Sequence, residues 1–133
     1  MSLESGGSTP APGPLPAGAT PVVGSSGNVA NAQAVATLPA AAGKTTWITG
    51  FQCTASGATA ALPVVVTVTG TISSNMSFIF SFVTGALLGS PMLAIAFPQP
   101  IPASAVNTAI VVTLPAGGLG NTNATVTAQG FQL

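Results

Sequence analysis

Apolar residues recur at every second position through much of this chain, most cleanly at 76–84. There Met76, Phe78, Phe80 and Phe82 alternate with Ser77, Ile79, Ser81 and Val83. That period sends the three phenylalanines to one side of a strand, whereas a helix would scatter them around its circumference. Residues 45–54 place Trp47, Thr49, Phe51 and Cys53 on one face and Thr46, Ile48, Gly50 and Gln52 on the other, so Trp47 and Phe51 are expected to anchor a core together with Phe78, Phe80 and Phe82. Residues 62–72 set Val64, Val66 and Val68 against Val65, Thr67, Thr69 and Thr71; threonine at alternate positions favours a strand, because its β-branch suits extended backbone and its hydroxyl tolerates water. Runs at 92–97, 108–114 and 124–132 follow. A weaker strand is predicted within 31–42, where Pro39 and Gly43 break any helix that the alanines would favour. Turn formers occupy 56–58, 73–75, 85–91, 98–107 and 115–123. The pattern predicts an all-β fold, an antiparallel β-sandwich of about seven strands. Jelly-roll-like and immunoglobulin-like topologies are both built from short strands at this spacing and stay open.

Ahead of these runs the composition changes. The first 28 residues hold five prolines and six glycines with few large apolar side chains, too little to offset the entropy of ordering a packed core. Pro10, Pro12, Pro14 and Pro16 alternate with other residues, and each ring fixes its own φ and biases the residue before it towards extended backbone. Residues 1–28 therefore read as an extended or flexible arm, mobile or held by a partner, and 29–133 as the sandwich domain. Such an arm can cross a neighbouring subunit or add a strand to its sheet, ordering only on assembly.

Charge narrows the chemistry. The 133 residues include one base, Lys44, and one acid, Glu4, with no His and no Tyr. Glu4 lies in the arm, so Lys44 with Cys53 is the best catalytic constellation on offer, and no enzyme is expected. Zinc sites draw on Cys and His, and calcium or magnesium sites on several carboxylates; no metal or cofactor is expected. One lysine cannot neutralise a run of phosphates, so direct nucleic-acid binding is not expected either. The single Cys53 lies in an apolar run and reads as a buried, inert thiol. Residues 78–97 form a 20-residue stretch without charge, but Pro91, two glycines and several hydroxyl residues interrupt it, no base flanks it, and its Phe periodicity is that of a strand; no membrane span is expected. The N-terminus lacks the basic and apolar regions of a signal peptide.

Charged residues make up 2% of the chain, against about 25% in ordinary soluble domains. Neutral sheet edges and a net charge near zero favour association. The exterior is therefore expected to be covered by copies of the chain or by a larger body, through contacts that depend little on salt.

The stretch PIPASAVNTAIVVTLPA at 100–116, GNTNA at 120–124 and the closing GFQL at 130–133 resemble small structural proteins of tailed bacteriophages, which are Ala-, Thr- and Gly-rich, nearly uncharged β-sandwiches. The likeness covers roughly the C-terminal third and, more loosely, 47–51. It implies a capsid decoration, or cement, protein on the head exterior of the virion, made in the host cytoplasm. The expected partners are the major capsid protein lattice and further copies of the chain, most simply a homotrimer. Candidate contact residues are Pro10, Pro12, Pro14 and Pro16 in the arm, and Pro98, Pro100, Ile101 and Pro102, whose rings pre-order a loop and lower the entropy lost on docking. A host-adhesion or carbohydrate-binding module is the alternative, for which an exposed Trp47 would be the platform.

Overall fold

The computed structural model describes residues 15–85, 87–117 and 123–133. They form eight strands: β1 (Thr20–Ser25), β2 (Ala34–Leu38), β3 (Thr46–Ser56), β4 (Leu62–Thr71), β5 (Ser74–Phe82), β6 (Leu93–Pro102), β7 (Ile110–Leu114) and β8 (Asn123–Gln132). No helix occurs among the described residues. The strands pair as two antiparallel sheets, ordered β1-β8-β3-β6 and β2-β7-β4-β5, and the chain is an all-β sandwich. Pairing of β1 with β8, β2 with β7, β3 with β6 and β4 with β5 is the pattern of one long antiparallel ribbon wrapped on itself. Wrapping then brings β8 beside β3 and β7 beside β4. That order is a jelly roll, which decides between the two topologies left open by strand spacing.

The core follows from the alternation. Phe80 and Phe82 of β5 lie opposite Val64 and Leu62 of β4, and Phe78 opposite Val66. Phe80, Phe82, Val66, Val68, Ile110, Val112 and Leu114 are buried between the sheets. On β2 and β8 the inward positions are mostly alanine, at Ala34, Ala36, Ala124 and Ala128, and side chains this small let the two sheets approach closely on that flank. At the same corner β1 closes against β2: a Cβ at Gly24 would lie 2.3 Å from the Thr37 carbonyl oxygen, so only glycine fits there.

Three features depart from the sequence pattern. First, residues 20–25, inside the stretch expected to be an arm, are β1 and pair with β8 from Thr20 to Ser25. The arm-like composition is tolerated because β1 is an edge strand, where Pro21 costs no ladder bond that a central strand would need, and because Val22 packs on the core. Second, β6 does not end at Phe97 but runs on to Pro102. Its register is uneven. Ala96 faces Gly50 and Ile101 faces Ile48, so Phe97, Pro98, Gln99 and Pro100 leave the ladder where β3 spends only Thr49. Proline has no N–H to give, and an excursion at a sheet edge is where it is accommodated.

Third, the same irregularity reverses the phase of β3. Opposite β8, Ile48 faces Gly130 and Gly50 faces Gln129, with Thr49 the extra residue of a β-bulge. Thr46 and Ile48 point inward before the bulge, and Phe51 and Cys53 after it. Phe51 is therefore fully buried, whereas Trp47, expected beside it in the core, lies on the outer side of the sheet and only half-buried. One extra residue turns every later side chain to the other face.

Candidate interaction surface

The outward positions of both sheets are neutral and mostly small. Val35, Thr37, Val111, Thr113, Thr67 and Thr69 cover one sheet, and Ser25, Thr125, Thr127, Gln129, Gln52 and Thr54 the other. Thr54 and Thr125 hydroxyls hydrogen-bond to each other across β3 and β8. Lys44 is the one charged side chain among the described residues, in the turn closed by its backbone N–H on the Ala41 carbonyl. The surface therefore has almost no field to steer a charged ligand.

Among the described residues, concavities interrupt it, two of them mainly apolar. The larger, about 650 Å³, lies on the outer side of the β1-β8-β3-β6 sheet. Leu15, Pro16, Thr49, Phe97, Pro98, Pro100 and Phe131 line it. Each part has a local cause. The bulge sets Thr49 out of the ladder, where its hydroxyl donates to the Gln129 carbonyl at 3.1 Å. The β6 excursion lifts Pro98 and Pro100. Outward phase on β8 presents Phe131 to Trp47, its cross-strand neighbour, and the two rings stack with centroids 5.8 Å apart at 11°. The Trp47 Nε1 is buried and lacks a hydrogen-bond partner, a cost that stacking must offset.

The smaller concavity, about 280 Å³, opens between the β5 and β6 edges and is lined by Ile79, Phe80, Ser81, Pro91, Met92 and Leu93. Ile79 and Met92 are each about 60% exposed, well above what isolation of apolar side chains from water would favour. Behind this open flank Phe78 packs edge to face on Phe51 and on Phe97, and Phe51 and Phe97 are tilted against each other, with centroids 5.3 to 6.4 Å apart.

The structure thus brings Pro16 together with Pro98 and Pro100 around one groove, although more than 80 residues separate it from them in the chain. Ile101 and Pro102 lie in the ladder opposite Ile48 and Trp47, half-buried. Pro10, Pro12 and Pro14 fall outside the described residues. Thr49, Phe97 and Phe131 were not singled out for this surface by the sequence pattern; the outward phase of Phe131 with Thr125, Thr127 and Gln129 was the available signal.

The other reactive groups do not form a site. Cys53 is fully buried between the sheets, and burial pushes its thiol up to about 12, so it stays protonated and poorly nucleophilic at neutral pH. Lys44 lies nine residues earlier in an extended run, on the order of 30 Å away, too far to share a proton with it. No group of three or more metal-ligating side chains occurs among the described residues, and no helix is long and apolar enough to cross a membrane.

Fold and surface together define a neutral jelly-roll sandwich whose distinguishing features are an apolar groove and an open apolar flank. No protein-family model, curated protein or solved structure matches the chain.

Proposed function

We propose that the chain is a structural virion protein that binds the outside of a bacteriophage capsid lattice as a decoration protein, self-associated as a homotrimer. The observation that carries this reading is the exterior: one charged side chain among the described residues, two exposed apolar concavities and four strands, β1, β6, β2 and β5, at sheet edges. A surface of that kind is stable in water when neighbouring copies or a larger body cover it. Use of two different edges for the contact gives a heterologous interface, which closes as a ring of three when each copy is rotated by about 120° from the last. Jelly rolls also host viral capsid domains, a support by fold analogy alone. The same analogy extends to lectins, but Trp47, the platform a sugar would need, already has a ring face taken by Phe131.

Co-sedimentation tests the proposal. The chain is mixed with expanded tailed-phage heads stripped of their own decoration protein, at salt from about 0.05 to 1 M. Saturable binding that changes little with salt supports a decoration role, and a chain left in the supernatant at every salt concentration removes it.

A further inference from the structure

The groove shares its chemistry with a segment of the same chain. Proline-rich extended peptides dock into grooves walled by aromatic and proline rings, because their backbone is already ordered and their rings pack flat on such walls. Here Pro16, Pro98 and Pro100 line one groove together with Leu15, Thr49 and Phe131, which is 3% exposed, while the Phe97 ring at its margin packs on Phe51 and Phe78. Nothing lining it is charged, so it offers no ion-pair partner and suits a neutral ligand. Residues 9–14, Thr-Pro-Ala-Pro-Gly-Pro, are neutral, and Pro16, the last member of that alternating run, already rests against the groove.

From these observations we infer that the groove receives the proline-rich residues 9–14 of a second copy of the chain; the inference rests on the multi-copy reading above. Thr9, Ala11, Gly13 and Leu15 each precede a proline, which holds each of them towards extended backbone and opposes the reversal needed to fold back over Leu15 and Pro16. Extended at about 3.1 Å per residue, the run reaches on the order of 20 Å beyond Leu15. A groove that receives the run therefore lies within that span of the donor's Leu15. The arm of each copy then links it to the next.

Disulfide trapping in the full-length chain tests this. One preparation carries Pro12→Cys with a mass tag, the other Pro100→Cys without it; native Cys53 is buried and does not compete. Mixed and oxidised, the two are expected to give a cross-linked pair containing one of each. Adding Pro98→Asp to the acceptor is expected to abolish it, with far-UV circular dichroism verifying that the acceptor folds. A synthetic peptide of residues 8–16 supplies a second readout: it is expected to shift the emission of Trp47, the sole tryptophan, which stacks on the groove residue Phe131. Absence of both the mixed pair and the shift, in a preparation that light scattering shows to be multi-copy, overturns the inference while leaving the decoration reading intact. So does a Pro12→Cys/Pro100→Cys chain that closes only within itself. A chain that is monomeric by light scattering overturns both.

Discussion

Replacing Trp47 and Phe51 by alanine, one at a time, separates the two sides of the β3 bulge. Phe51 is fully buried and packs against Phe78 at 5.3 Å and Phe97 at 6.3 Å, so Phe51→Ala leaves a cavity that the surrounding rings cannot fill and costs about 3–5 kcal/mol. Trp47 is half-buried on the outer side and stacks on Phe131. Its removal forfeits partial burial and a stacking contribution of about 0.5–1.5 kcal/mol. It also relieves the unpartnered buried Nε1, a penalty of about 1–3 kcal/mol. The net cost of Trp47→Ala is therefore about 1–3 kcal/mol, below that of Phe51→Ala. Trp47→Phe isolates the nitrogen: the ring stays on Phe131 and the orphan donor goes, so this variant is expected within about 1 kcal/mol of the parent or above it. Urea unfolding at one fixed protein concentration, followed by far-UV circular dichroism, reads all three, because fluorescence is lost with the only tryptophan. A Trp47→Ala cost equal to or above that of Phe51→Ala would refute the phase reversal and return Trp47 to the core.

Other consequences are independent of the bulge phase. A Cβ at Gly130 would lie 1.9 Å from the Trp47 carbonyl oxygen, so Gly130→Ala must part β8 from β3 and is expected to destabilise by about 2–4 kcal/mol in the same unfolding assay. The Thr46 hydroxyl and the Gln132 side-chain amide both donate to the Pro39 carbonyl at 2.8 Å; Thr46→Val is expected to cost about 1 kcal/mol, Gln132 keeping the carbonyl paired. The Cys53 thiol, raised by burial to about 12, ionises more readily in the unfolded chain, so stability is fully present below about pH 8 and declines as pH rises from about 9 towards 12. Cys53→Ala should flatten that alkaline slope, and an unchanged slope would show that other groups cause it.

Period-two alternation made most of the sandwich legible. At β5 the three phenylalanines, and at β4 the valines opposite them, identify both the strand and its buried face, since a pleated strand allows no other grouping. What alternation cannot show is a place where the count slips. Thr49 has no side-chain signature that marks it as the extra residue of a bulge, so Trp47 and Phe51 read as neighbours on one face. Prolines misled in both directions: Pro21 disguised an edge strand as part of an arm, and Pro98 and Pro100 disguised a strand with an excursion as a loop. Their stiffness was legible as a reason to expect contacts. Their convergence on Pro16, Thr49 and Phe131 was not, because it arises from pairings between strands far apart in sequence, which local pattern does not encode.

Light scattering on the full-length chain, from micromolar to near-millimolar concentration and in low and high salt, tests most directly whether this neutral exterior is an interface. A particle of about three times the 12.7 kDa chain mass, held together as firmly in strong salt as in weak, is the expected result. Particles of single-chain mass throughout that concentration range would contradict it.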